Sequence, residues 1–467
     1  MKLKMSREVD LGKDPVRHLL FILAVPSITS QVVNALYNMV DRMYIGHIAE
    51  VGSTALTGVG VCFPIIMIVS AFAALMGMGG APRASISMGK KDNETAEKIM
   101  GNCFAALIVV ALLLTTAVLL FREPLLYLFG ASENTIVYAD KYIRIYAIGT
   151  IFVQLTLGMN AFISAQGFSK ISMLTVIIGA VTNIVLDPIF IFGLGMGVEG
   201  AALATILSQA LSAAWAVKFL SGKNTILRLK KKNFRIKPSI LLPCVALGVA
   251  PFTMQATESI LVLCFNSSLL KYGGDLAVGA MTILSSVMQF AMLPLQGLTQ
   301  GGQPIISYNY GARNADRVKQ AFKLQTICAF GYATILWAAI QLVPSAFVAI
   351  FTNDPQLSEI TQWALRVYMA GVLLMGLQIS CQQSFIAFGN SKISAFLAVF
   401  RKIVLLIPLI FILPSFMTDK VLAVFLAEPI ADIIAVMTTV TLFALEFKKI
   451  MKDLRSDPNP SESLSRS

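Results

Sequence analysis

The chain has 467 residues, 56% of them apolar and only 13% charged, with a net charge of +12 and a mean hydropathy of +0.75. Soluble domains carry about 25% charged residues, so too little charge is present to coat a water-exposed surface. That excludes a soluble enzyme, a disordered chain and a nucleic-acid-binding module. At about 20 residues per membrane-crossing helix, the length supplies about a dozen spans.

In chain order the apolar runs predict spans near 17–45, 54–81, 99–121, 134–165, 171–194, 198–220, 240–270, 277–304, 320–350, 357–388, 393–414 and 420–447. The chain thus divides into an N-terminal segment 1–16, an N-lobe of six spans over 17–220, a basic linker 221–239, a C-lobe of six spans over 240–447, and a tail 448–467. An even number of spans puts both termini on one side. Thirty of the 37 Lys and Arg residues fall on that side, eight of them from Lys218 to Lys237 and three at Lys392, Arg401 and Lys402. The positive-inside rule then makes both termini cytoplasmic. The basic charge reads as topology, with anionic lipid headgroups as its contact. The opening MKLKMSREVDLGKDPVRHLL runs straight into a span with no small-residue cleavage site, so no removable signal peptide is expected. The six cysteines form no CxxC, and only His18 and His47 are present. Neither a disulfide framework, a zinc site nor a histidine-based catalytic triad is expected.

The two halves repeat. Ser169-Lys170-Ile171-Ser172 recurs as Ser391-Lys392-Ile393-Ser394, an offset of 222. Arg144, Tyr146 and Gly149 match Arg366, Tyr368 and Gly371 at that offset, as do Phe129 and Phe351, Pro82 and Pro304, Gly89 and Gly311, and Gly167 and Gly389. Six spans per repeat give two halves of the same orientation, related by an axis along the membrane normal. That is a transporter arrangement with the substrate path between the halves.

Ionisable side chains inside a span cost roughly 2.5–3.5 kcal/mol each on insertion scales, so each calls for a reason. Gln31, Asn34, Asn38 and Asp41 stand on one face of span 1, which must point to a cavity or the bundle interior; Asp41 could otherwise reach water at the span end or pair with Arg42. Pro26 removes a backbone hydrogen bond from the same helix and predicts a kink. In span 5, Asp187 follows Asn183 by one turn and precedes Pro188, while Thr205 and Gln209 give span 6 a polar face. The matching stretch of the second half keeps a proline at Pro408 but no acid, which points to chemistry confined to the first half; a structural polar pair is the alternative. Glu258, in PFTMQATESILVL of span 7, reads either as a second ligand-binding carboxylate or as an acid kept neutral. Gln255 lies in the same stretch. Glu428 and Asp432, one turn apart on span 12, are expected to pair with Arg401 of span 11 as a structural ion pair.

The stretches NMVDRMYIGHI, AQGFSKIS with FGNSKIS, and NIVLDPIFIFGLGMGVEGAALAT resemble those of multidrug and toxic compound extrusion (MATE) transporters, in a DinF/MepA-like branch, and the resemblance covers about residues 15–450. It implies an all-α integral membrane protein, twelve transmembrane helices in two pseudo-symmetric six-helix bundles around a V-shaped central cleft. It also implies alternating access driven by inward H⁺ or Na⁺. By the resemblance Asp41, Asn183, Asp187 and Thr205 form a coupling-ion site, with Na⁺ the one metal that could sit there. Pro26 is the bend of span 1, and Asn34 and Asn160 are polar positions near the same cavity. Asn38, Gln209, Gln255 and Glu258 join these as candidate substrate-cavity residues. The function expected is antiport export of organic, cationic and amphipathic drugs or metabolites across the plasma membrane, by a monomer with no enzymatic activity and no cofactor. The nearest rival is a flippase for lipid-linked glycan precursors, which would need basic cavity residues for a diphosphate headgroup. No DDxxD, HExxH or GxGD pattern supports an intramembrane enzyme.

Overall fold

The computed structural model describes residues 9–48 and 51–456, and among these every regular element is helical. In lipid no water satisfies a backbone N–H or C=O, so a chain this apolar crosses as helices. Spans 1 to 3 are Val16–Gly46, Gly52–Gly89 and Asn93–Leu128. Span 4 is a pair, Ile136–Ile148 and Thr150–Ala165, bent by 56°. Spans 5 and 6 are Ser169–Gly193 and Val198–Ser221. The run Pro238–Gly311 holds spans 7 and 8, which divide at Gly274 with φ 64° and ψ −161°. Spans 9 to 12 are Ala315–Leu342, Pro355–Ala387, Ser391–Ser415 and Lys420–Ser456.

The predicted spans are all present, with differences at their ends. Span 3 continues past 121 through a break at Phe121, ahead of Pro124. Span 12 extends beyond 447 to Ser456, so the start of the expected tail is helix, and residues 457–467 lie outside those described. Span 1 runs unbroken through Pro26, where the Ser27 hydroxyl donates to the Leu23 carbonyl at 2.8 Å.

The repeat is visible in the backbone. Lys91 and Arg313, 222 apart, are the non-glycine residues with positive φ among those described, at 61° and 57°. The next residues, Asp92 and Asn314, cap spans 3 and 9 by accepting from the N–H groups of Thr95 and Arg317. Span 4 bends at Gly149, and span 10 turns 3₁₀ up to the equivalent Gly371. A side chain at Gly149 would strike Ile206, and one at Gly371 would strike Asp432.

The lobes meet near the end that carries the N-terminal segment and the linker. A Cβ on Gly89 would lie 2.0 Å from the Tyr308 carbonyl oxygen, and one on Gly311 would lie 2.0 Å from that of Ile86. These matched glycines let spans 2 and 8 touch backbone to backbone across the pseudo-axis. Each helix also rests on the first span of the other lobe: Gly79 on Cys244 and Gly248, Gly301 on Leu23 and Ala24. Moving away from that end, contact continues through the Gln31–Gln300 hydrogen bond at 2.9 Å and the Phe72–Phe252 ring pair. Among the described residues no inter-lobe hydrogen bond lies farther along span 1 than Gln31.

Two polar clamps fasten this closed end. Arg317 donates to the backbone carbonyls of Leu11 and Asp14, and Asn309 also donates to that of Leu11, tying the segment before span 1 onto the C-lobe. The linker is strapped to the N-lobe: Glu97 accepts from Arg228 N at 3.1 Å and Lys230 Nζ at 2.5 Å, and Gln166 accepts from Leu227 N at 2.7 Å. Glu97→Ala would leave that turn of linker unpaired, and a hydrogen bond to a charged group contributes about 1.5–3 kcal/mol. The expected outcome is a melting midpoint lowered by a few degrees and faster proteolysis within 221–239; an unchanged digest would count against the strap.

Candidate functional site

The N-lobe gathers its acids in the half farther from the termini. Span 1 delivers Asp41 and span 5 delivers Asp187, 9% and 0% exposed, with their carboxyls within hydrogen-bonding reach of each other. Asn183 Nδ2 donates to Asp187 Oδ1 at 3.2 Å and lies 3.5 Å from Thr205 Oγ1 of span 6. The i, i+4 spacing of Asn183 and Asp187 sets both on one face of span 5, which continues after Pro188 as a π turn, Ile189–Gly193. Such turns re-aim side chains and recur at functional sites.

Asp41 Oδ1, Asp187 Oδ2 and Asn183 Oδ1 are buried and have no protein partner. Three oxygens from three residues therefore point inward uncompensated, which is costly unless something positive meets them. Asn183 and Thr205, but neither acid, also line a cavity of about 40 Å³, together with Asn34, Tyr37 and Gln209 among others. One water needs roughly 10–15 Å³ measured this way, so the space admits a small ion with water. Hard monovalent and divalent cations take oxygen ligands, and adjoining carboxylates can hold a proton between them. Arg42 lies close enough to act on Asp41 through space, but its guanidinium sits 5.1 Å over the Phe63 ring and no direct ion pair joins the two among the described residues.

Two residues here were not singled out in the sequence. Tyr37 packs beside Asp41, Asp187 and Gln209, and Tyr142 of span 4 packs beside Asp41 and Thr205. Tyr37 lies one turn before Asp41 and three residues after Asn34, so extending the polar stripe of span 1 would have found it. Nothing in span 4 marks Tyr142.

The other expected cavity residues are scattered. Asn34 and Gln209 line the cavity, and Asn38 donates to the Asn34 carbonyl at 2.7 Å. Asn160 does not join this group but donates to the Ser172 carbonyl at 3.3 Å, stitching span 4 to span 5. Gln255 and Glu258 belong to the C-lobe, on span 7.

In the C-lobe, Arg401 bridges Glu428 at 3.0 Å and Asp432 at 2.6 Å, with side-chain exposures of 13%, 9% and 1%. The structure gives Glu258 a partner that the sequence did not point to. Its carboxylate is paired with Lys402, whose ammonium also donates to the Met254 carbonyl at 2.7 Å. Lys402 and Arg401 are also not on the basic face where the sequence counted them. They lie midway along span 11 in a π turn, Phe400–Leu406, and their charges are neutralised by acids from spans 7 and 12.

Comparison with known proteins follows this geometry. A profile of the MatE family matches residues 26–189 and 252–412, one block in each lobe. The chain is 26% identical over 421 residues to the multidrug export protein MepA of Staphylococcus haemolyticus, covering 90% of this chain and 92% of that protein. It is 24% identical over 427 residues to MepA of Staphylococcus aureus, covering 91% and 94%. Among solved structures, a MATE protein in a bent conformation superposes with a TM-score of 0.90 at 23% identity, over 97% of this chain and all of that one. An outward-facing multidrug resistance MATE transporter superposes with a TM-score of 0.87 at 23% identity, over 96% of this chain.

Proposed function

Because this chain belongs to the MatE family of membrane transporters, a class without enzymatic activity, we propose that it exports organic, cationic and amphipathic compounds in exchange for H⁺ or Na⁺. The coupling ion binds at Asp41, Asn183, Asp187 and Thr205. The observation that carries this reading is the set of three buried, unpartnered oxygens of Asp41, Asp187 and Asn183, the last of which lines a cavity of about 40 Å³. The kinship to multidrug export proteins supports the substrate class.

The residues then act as follows. The end with the termini is cytoplasmic, in the plasma membrane, so lobes closed there leave the cleft open to the outside. In this state the Asp41–Asp187 pair is negative, and its charge attracts an organic cation into the cleft between the lobes, next to the small cavity lined by Asn34, Asn183 and Gln209. An incoming H⁺ or Na⁺ takes the unpartnered oxygens and cancels the charge that held the drug, which leaves outward. Pro26 deprives span 1 of one backbone bond, so this helix bends at low cost as the ion binds. With one of the site's two negative charges cancelled, the lobes rock about the glycine contacts of spans 2 and 8; the ion leaves inward and the next drug loads. One chain contains both lobes and hence the whole path, so a monomer suffices. The two basic residues of the C-lobe midsection are both taken by acids, which does not favour a diphosphate-lipid flippase.

Reconstituted vesicles given a pH gradient or a Na⁺ gradient separately, loaded with a fluorescent organic cation, test this reading. One gradient is expected to drive export; export driven by neither contradicts it. Thr205→Val removes a single neutral oxygen from the site and is expected to weaken ion affinity about tenfold, ~1.4 kcal/mol. The readout is a tenfold rise in the ion concentration that half-saturates transport, with maximal rate little changed.

A further inference from the structure

The lobes are matched copies, and in each the same two helices bring ionisable side chains together. In the N-lobe, spans 1 and 5 bring an acid to an acid, Asp41 to Asp187. In the C-lobe, spans 7 and 11 bring an acid to a base, Glu258 to Lys402. We propose that Lys402 is a tethered counter-ion that does for Glu258, on the corresponding helices of the C-lobe, what a coupling ion does for the acids of the N-lobe. The transporter then carries one coupling site, and removing the ammonium opens a second at Glu258. This rests on the reading of Asp41 and Asp187 given above.

Three observations carry it. Lys402 is 7% exposed and midway along its span, where an ammonium persists only if fully engaged, and it is held on two sides, by the Glu258 carboxylate and the Met254 carbonyl. Glu258, by contrast, has a side chain 59% exposed, so protein does not seal it in on the side away from the lysine. The remaining charges packed around it are not available to replace that lysine or to take a second ion. Arg401 is committed to Glu428 and Asp432, all three are nearly sealed, and Tyr368 closes the cluster as a buried aromatic wall. A π turn at Phe400–Leu406 aims Arg401 and Lys402, adjacent in sequence, at different acids.

The test counts bound ions on the purified full-length transporter, by ²²Na⁺ equilibrium binding at alkaline pH and by proton uptake in Na⁺-free buffer. Wild type is expected to bind one ion by whichever assay registers binding. Glu258→Gln should still bind one, Lys402→Met should bind two, and Lys402→Met combined with Glu258→Gln should return to one. Lys402→Arg, which keeps the charge, should bind one. A wild-type count of two that falls to one in Glu258→Gln overturns the proposal, as does a count of one in monodisperse Lys402→Met. Asp187→Asn separates the two readings. If it leaves the wild-type ion bound, the N-lobe assignment fails, while the gain on removing Lys402 is still read independently at Glu258.

Discussion

Asp187→Asn is expected to uncouple transport from its driving ion. The substitution preserves shape but turns a fully buried carboxylate into an amide, and it removes one of the site's two formal negative charges. Asn183, which now donates to Asp187 Oδ1 at 3.2 Å, can keep that bond to the amide oxygen, so the helix pair should stay folded. What is lost is the second negative charge facing Asp41. We expect ion affinity to fall about a hundredfold, ~2.7 kcal/mol, and gradient-driven export of an organic cation to drop to the level of empty vesicles. Asp41→Asn should do the same, and the double variant little more, because the two carboxyls act as one site. Gradient-driven export at the wild-type rate by either single variant would be incompatible with the assignment.

Gly89→Leu and Gly311→Leu are expected to be the next most damaging substitutions, for a different reason. Each glycine faces backbone of the other lobe, where even a Cβ would sit 2.0 Å from a carbonyl oxygen. No flexible side chain is there to move aside. A leucine therefore wedges spans 2 and 8 apart at the end where the lobes now close. Distances between spin labels on the loops near Lys90 and Arg313 should lengthen by several ångströms, and export should fall at least tenfold. Ion binding to the N-lobe should persist, since Asp41 and Asp187 lie in the opposite half of their spans. Gly331, where an added Cβ would meet nothing within 4 Å, supplies the control, and Gly331→Ala should transport normally.

The helices were legible because a bilayer admits few alternatives to them, and apolar runs of this length mark themselves. The duplication was legible because the positions that repeat are backbone devices: glycines at bends, prolines, and the residues closing spans 4 and 10 at Gly167 and Gly389, both with positive φ. Each half of the N-lobe site was readable along its own helix, as the stripe ending at Asp41 and the Asn183–Asp187 turn. Their meeting was not, since nothing in the spacing of span 1 says which face of span 5 it meets; only the family resemblance joined them. Tyr142 escaped because a tyrosine among apolar residues looks like packing. Lys402 misled for a related reason. Next to Arg401 and shortly after Lys392, it has the sequence context of a basic loop, while the acid that neutralises it is 144 residues away. Charge counting along the chain cannot see such a partner.

The central claim is that drug and coupling ion compete for the charge of Asp41 and Asp187. Its most direct measurement is ion release on drug binding: purified transporter, preloaded with H⁺ or Na⁺ in weakly buffered solution, is mixed with a saturating lipophilic cation such as tetraphenylphosphonium. The expected result is stoichiometric release of the ion from wild type and none from the Asp41→Asn/Asp187→Asn double variant. Drug binding without ion release in wild type, or equal release from the double variant, would contradict it.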